Sequence, residues 1–396
     1  MVNLYRGLFI ADLHIGAMDY ETTYDGLMYL RDVLDAYTKE ELLDFIIIGG
    51  DYFDKQLYSG DPFVSLAAKF MVYVLSSAKV VRFVNGTSSH DCNQYTLFEP
   101  LVEDCPFVLE GFHYNFKVIT TVSEEELLPG LNVLYIPEEY IFDQDEYYKE
   151  FLSKEKHYDY IFGHGVIREA MTYRKDKPTA STNVRKSPVF SSAELSYACK
   201  GKTCFGHYHV HTEMEGNVSY VGSTFRWIFG EEEEKGFYFL ECDPEAETYH
   251  DQFVINEKAK KYVTVAYGYK DPLFESLDKA EEIIKKLLKR RIQMGIDYLR
   301  VIVNIPLDYE NPEALITFMR ERFSGISGVK LEFNHGYTEK KKELEAEEIS
   351  KLDEDGKVLL DENIPEETKV SFFLKSRLDV DMDSEKIKKY LDREDK

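Results

Sequence analysis

The chain has 396 residues, 44% of them hydrophobic and 31% charged, enough to bury a large core and more than one core usually holds, since these stop growing at roughly 250 to 300 residues. A formal net charge of -25 argues against an unaided grip on nucleic acid, which needs a basic face to neutralise phosphates. No run of about 20 apolar residues could span a bilayer, and five cysteines without a C-x-x-C pair suit reduced packing residues better than disulfides or a closed zinc site.

Met1-Val2-Asn3-Leu4-Tyr5-Arg6 leads directly into an apolar strand without a signal-peptide pattern, so a cytoplasmic protein with no membrane partner is expected. That strand, Phe9-Ile10-Ala11, stops at Asp12-Leu13-His14. Phe45-Ile46-Ile47-Ile48 ends in Gly49-Gly50-Asp51, Val80-Val81-Arg82-Phe83-Val84 runs into Gly86 and then His90-Asp91, and Tyr160-Ile161-Phe162 ends in Gly163-His164. Gly206-His207-Tyr208-His209 closes the series. Buried parallel strands deliver side chains to their carboxyl ends, where α/β sheets bind ligands. One such end would mean little; a succession of them points to a shared site.

Helical patterns over residues 24–37 and 64–75 alternate with these strands, and the apolar residues of the second could serve the core or a homodimer. Short strands over 132–136, 218–221 and 236–240 suit a second sheet stacked on the first. The expected fold class is therefore α/β, a two-sheet sandwich flanked by helices over residues 1–257. Residues 258–340 read as a small separate α/β module: strand 262–267, helix 274–292, strand 298–305, helix 312–323, strand 329–333. In its first helix Lys285, Lys286, Lys289, Arg290 and Arg291 read first as a solvated face and second as a phosphate contact. Residues 341–396 form a charged tail in which 366–374 and 384–391 could order on a partner.

Imidazole and carboxylate donors at the strand ends suit two divalent ions held about 3.5 to 4 Å apart, which can clamp a phosphate and activate water. Such a pair needs a bridge, and Asp51, after two glycines that let the backbone come close, is the natural one. The donor set favours manganese, with magnesium, iron or zinc as alternatives.

In their order, D-x-H, G-G-D, H-D, G-H and G-H-x-H resemble the motifs of the calcineurin-like metallophosphoesterases. Within that superfamily the chain is most similar to the SbcD-type DNA repair nucleases. Tyr220-Val221-Gly222-Ser223, Phe229-Gly230-Glu231 and Lys235-Gly236-Phe237 look like that group's G-S, F-G-E and K-G-F sequence, and the module after residue 258 resembles its capping domain. The resemblance covers about the first 340 residues. It implies that Asp12, His14, Asp51 and His209 hold one ion, and that Asp51, His164 and His207 hold the other. It also implies a catalytic pair, in which His90 contacts the phosphate and assists the departing sugar oxygen while Asp91 orients the loop or the imidazole. The implied activity is a DNA nuclease, 3'-to-5' exonuclease and single-strand endonuclease, working with an SbcC-like ATPase that provides the DNA grip an acidic chain lacks. A free-standing phosphodiesterase for nucleotides or other small phosphoesters is the alternative.

One departure is plain. The family writes G-N-H-D, its asparagine completing the second metal, whereas this chain has Gly86-Thr87-Ser88-Ser89-His90-Asp91. Ser89 takes the asparagine's place in register as a poorer, neutral ligand, ahead of Thr87 and Asn85. For DNA, Arg174, Lys175, Lys177, Arg185 and Lys186 lie between two ligand motifs, and Arg226 follows the G-S turn; a solvated loop is the competing reading of the first five. Trp227 reads as core, His211 as an outer histidine, and the acidic run 231–234 as a solvated loop.

Overall fold

The computed structural model describes residues 4–101, 114–141, 143–172, 188–231 and 233–335. The chain forms two compact units, one of Met1–Val263 with Met294–Tyr298, the other of Thr264–Gln293 with Leu299–Lys396. The basic segment carrying Arg174, Lys175, Lys177, Arg185 and Lys186 lies outside the described residues, as does the tail beyond residue 341.

The larger unit runs β1 (Tyr5–Ile10), α1 (Tyr20–Tyr37), β2 (Leu43–Gly49), α2 (Pro62–Leu75), β3 (Ala78–Val84), a one-turn α3 (Ser88–Asp91) and β4 (Asn115–Ile119). It continues with β5 (Ser123–Leu128), β6 (Leu131–Ile136), α4 (Gln144–Leu152), β7 (Tyr158–His164), β8 (Val166–Ile167), α5 (Arg168–Thr172), β9 (Val189–Phe190), α6 (Ser192–Ala198) and β10 (Cys199–Gly206). β11 (Thr212–Met214), β12 (Val218–Tyr220), β13 (Gly236–Asp243) and β14 (Thr248–Ile255) complete it. One sheet has the order β14-β13-β1-β2-β3-β4, with β1 to β4 parallel; the other has β11-β12-β10-β7-β6-β5, with β12, β10, β7 and β6 parallel.

Neighbouring residues on each strand point into different cores. Leu8, Ile10, Ile46 and Ile48 face Leu27, Leu30 and Leu34 of α1 and Phe70 and Met71 of α2. Phe9, Phe45, Ile47 and Val80 face Val133, Tyr135, Tyr160 and Phe162 of the second sheet, with the Phe9 and Phe162 rings stacked at 5.3 Å between centroids. Leu134, Ile136 and Ile161 face Tyr148, Leu195 and Ala198 of α4 and α6. The layers are thus helix, sheet, sheet, helix, the α/β sandwich that the alternating apolar runs predict. Burial on both faces explains why these strands read as unbroken apolar runs instead of alternating ones.

Helix α1 begins a turn earlier than its apolar periodicity, because Asp19 accepts the Thr22 amide at 2.9 Å and caps it. In α2, capped by Asp61 and opened by Pro62, the side chains Leu66, Ala67, Phe70, Met71, Val74 and Leu75 are buried in the core of this one chain. Among the described residues no helix is long and apolar enough to cross a membrane.

Beyond β14 the described residues form the strands and α-helices β15 (Tyr262–Tyr267), α7 (Leu277–Met294), β16 (Tyr298–Ile305), α8 (Pro312–Phe323) and β17 (Val329–His335), with the sheet order β15-β16-β17 and β16 parallel to β17. Ala280, Ile284 and Leu287 of α7 and Leu315, Ile316, Met319 and Phe323 of α8 are buried. On the outer face of α7, Lys285 pairs with Glu281 at 3.1 Å and Lys286 with Glu282 at 2.7 Å, the i,i+4 pairs of a solvated helix surface.

Candidate metal centre

The parallel strands of both sheets end on the same side of the larger unit, and their terminal residues converge. Among the described residues, four groups of three have ligand atoms within 4.8 Å of one another: Asp12, His14 and His209; His14, Asp51 and His90; Asp12, Asp51 and His164; Glu138, His164 and His207. Asp51 joins them, its Oδ2 lying 3.8 Å from His14 Nε2 on one side and 3.4 Å from His164 Nε2 on the other. His14 Nε2 and His209 Nε2 confront each other at 2.9 Å. The two ring nitrogens of half-buried His207 are shielded from solvent and make no well-aligned hydrogen bond, with Glu138 Oε2 3.2 Å from Nδ1. Opposed and orphaned imidazole nitrogens beside carboxylates are what a divalent cation satisfies, so this donor set fits metal ions.

The backbone is bent to bring these groups together. Asp12, His14, Asp51 and His207 have φ of 52°, 44°, 47° and 98°, the left-handed region that costs non-glycine residues about 1 to 3 kcal/mol each. The strain is held by specific bonds: the Asp12 amide donates to Gly50 O at 3.1 Å, the His14 amide to Asp51 O at 2.9 Å, and the His207 amide to both Asp12 oxygens at 3.0 and 3.2 Å. Gly86 is needed because a Cβ there would strike the Asp51 amide, and Gly50, at φ 83°, because one there would strike the His164 ring.

Asp91 is part of this scaffold and not of the reacting surface. Its carboxylate, fully buried, accepts the amides of Asp51 at 3.2 Å, Tyr52 at 2.9 Å, Phe53 at 3.2 Å and Gly86 at 2.9 Å. It therefore orients the loops under the centre, the first of the two roles expected of it, while the His90 imidazole is held by the Asp54 carbonyl instead. Asp91→Ala strands four buried donors, and should lower stability by about 3 kcal/mol or more. In a domain of this size that is a fall in Tm of roughly 6 to 12 °C, readable by calorimetry; an unchanged Tm would refute this scaffold role.

Three histidines are locked by partners on the far side of the ring. His164 Nδ1 donates to Gly49 O at 2.8 Å, across from one sheet to the other, and His90 Nδ1 donates to Asp54 O at 2.6 Å. His209 Nδ1 donates to Glu231 Oε1 at 2.9 Å. Each bond fixes the tautomer and leaves Nε2 as the free donor atom. Burial would push Asp51 up, but His164, His14 and His90 more than offset it and hold its carboxyl well below the usual carboxylate range. Burial pulls the His164 pKa down, and Asp51, Asp12 and Glu138 outweigh it and hold it well above the ordinary imidazole value.

Several residues were given no place at the centre by the sequence. Glu231 is buried, not part of a solvated loop: besides His209 it accepts the Trp227 amide at 2.9 Å and faces Lys235 Nζ at 3.4 Å. Lys235, also buried, donates to His209 O at 2.6 Å and Ser223 Oγ at 2.9 Å. This network gives the G-S, F-G-E and K-G-F segments a physical purpose, holding His209 from behind. Glu231→Gln should weaken ion binding at the His209 group by about 10- to 100-fold, checked by manganese titration, with no change expected at the His164 group. Glu138 was not singled out at all, although Ile136-Pro137-Glu138 leaves β6 as the ligand motifs leave their strands; its only sequence signal is that position. Asp54 places Oδ1 3.3 Å from His14 Nδ1 while its carbonyl holds His90.

No family model and no curated protein matches the chain. Solved structures do match, and one aligns over 63% of this chain and 99% of its own at 14% identity with a TM-score of 0.31, a likeness too loose to carry an argument. The centre therefore stands on its own geometry.

Two expectations fail on that geometry. Ser89 is exposed on α3, whereas Thr87 lies at the centre, its amide donating to Asp51 Oδ1 at 2.7 Å and its hydroxyl 3.0 Å from Glu138 Oε2. Counting back from His90 misplaces the position because the two extra residues coil into the turn of α3, leaving the residue after Gly86 over Asp51. Arg226 is not offered to a nucleic acid: its guanidinium donates to the carbonyls of Ala259 at 3.0 Å and Glu233 at 2.7 Å. Trp227 is core, its Nε1 donating to Asp12 O at 3.3 Å, and His211 stacks on Phe253 with centroids 3.7 Å apart.

Proposed function

We propose that the chain is a metal-dependent phosphodiesterase acting on DNA, the nuclease subunit of an SbcCD-like repair complex working in the cytoplasm. The observation that supports the chemistry best is the position of Asp51, one oxygen of which lies within 4 Å of imidazoles from two separate ligand groups. Asp12, His14, Asp51 and His209 would hold one ion, and Asp51, His164 and His207 the second. Two divalent ions bound there, manganese by preference, would supply an activated water and offset charge on the attacking and leaving oxygens.

The remaining work falls to the chain itself. His90, half-buried and edge-on to His14 at 4.8 Å between centroids, keeps Nδ1 on the Asp54 carbonyl, so Nε2 is the atom that passes a proton to the departing oxygen. Asp91 and Glu231 fix the loops and the His209 ring. The DNA substrate rests on the family resemblance, and with a net charge of -25 on this chain the long-range grip would fall to an ATPase partner. The same charge favours a small phosphoester as the second reading.

The deciding experiment offers the purified chain, with manganese, single-stranded and duplex DNA beside a small bis-aryl phosphodiester, with and without the ATPase. DNA cleavage that the ATPase enhances is the expected result. Turnover of the small ester alone would leave a phosphodiesterase and remove the nuclease.

A further inference from the structure

We propose that Glu138 is a carboxylate ligand of the second ion, taking over the position that an asparagine amide fills in the resembled family; this rests on the two-ion reading above. The Glu138 side chain is 1% exposed, and its Oε2 lies 3.2 Å from His207 Nδ1 and 3.6 Å from His164 Nε2. Its other oxygen, Oε1, accepts the Tyr140 hydroxyl at 3.1 Å, which leaves Oε2 as the atom that turns toward the imidazoles. The geometry is therefore that of a ligand using one oxygen.

Charge makes the same demand. Asp51 and Glu138 are both buried and share neighbours: His164 Nε2 is 3.4 Å from Asp51 Oδ2 and 3.6 Å from Glu138 Oε2. The Thr87 hydroxyl, with one proton to give, stands 3.2 Å from Asp51 Oδ2 and 3.0 Å from Glu138 Oε2. Two carboxylates crowded on one imidazole and one hydroxyl repel each other and lose hydration, a cost that a cation between them removes. Thr87 then ties the two carboxylates together while Glu138 does the ligating, and the loss of the amide at this loop is compensated from β6. Three carboxylates, Asp12, Asp51 and Glu138, would face the two ions instead of two, so the second site is bound more tightly and presents less positive charge to a phosphate.

The test is a manganese titration of the full-length chain, followed by calorimetry and by the electron paramagnetic resonance signal of free and exchange-coupled manganese. The wild type should take two ions with a coupled signal. In Glu138→Ala the first ion should bind unchanged, the second should weaken by at least about 10- to 100-fold, and the coupled signal should vanish at concentrations that fill the wild type. Adding Thr87→Asn to Glu138→Ala should recover part of the lost affinity. Should Glu138→Ala fail to fold, as judged by its melting curve, Glu138→Leu, which keeps most of the buried volume and has no donor oxygen, carries the same comparison. Two ions bound as tightly in the variant as in the wild type would overturn the role of Glu138 and leave the two-ion centre standing. Fewer than two ions in the wild type would overturn the two-ion centre, and this inference with it.

Discussion

Asp51→Asn should deprive the protein of both ions at once. Its carboxylate is the group common to the two halves of the centre, 3.8 Å from His14 Nε2 and 3.4 Å from His164 Nε2 through one oxygen. Asparagine has the same volume and can still accept the Thr87 amide that Asp51 Oδ1 takes at 2.7 Å, so the loop should keep its shape. What it lacks is the charge and the second oxygen a bridge requires. Ion-dependent catalysis is expected to fall by about 1000-fold or more, the several kcal/mol that such ions contribute. The same variant should also lose the thermal shift on adding manganese: an ion at a hundred times its Kd stabilises by about 2.7 kcal/mol, several degrees in a domain this large. A variant that still gained that stabilisation would show that Asp51 bridges nothing.

His90→Ala has the opposite signature. His90 sits on α3 with Nδ1 committed to the Asp54 carbonyl, and its ring stands edge-on to His14. Removing a proton carrier should leave two ions per chain by elemental analysis and lower turnover by roughly 100-fold, with little change in KM. The loss should be smaller on substrates with a good leaving group, which need no proton. His90 also falls in a group with His14 and Asp51. If the variant bound one ion fewer, His90 would be a ligand and the acid would have to be sought elsewhere.

How much of this was legible depended on how local each signal is. Helix α8 and strand β15 were read from periodicity with their bounds intact, because an amphipathic stripe or a short apolar run bounded by turns is written in adjacent residues. Helix α1 lost its first turn, since Asp19 makes a cap and no apolar stripe. The strands β4, β5 and β14 carry polar residues on an open face and were passed over. At the centre, Asp12, His14, Asp51 and His164 announced themselves by ending apolar runs, and His207 and His209 by their G-H-x-H spacing. Glu231 did not, because within an acidic run it looks like its neighbours until His209 is seen against it. Glu138 was hidden in the same way, by an ordinary Pro-Glu-Glu.

The sequence by itself determined the layers and the side on which chemistry would occur, since strand period, burial and the polarity of strand ends are properties of neighbouring residues. Only the tertiary structure decided which carboxylates reach the imidazoles. It put Thr87 and not Ser89 above Asp51, turned Asp91 inward to four amides, gave Arg226 to backbone carbonyls, and drew Glu138 beside His164 and His207. The physical reason is that such contacts join loops that leave different strands and lie far apart along the chain. Their distances follow from packing and strained turns, which no spacing along the chain encodes.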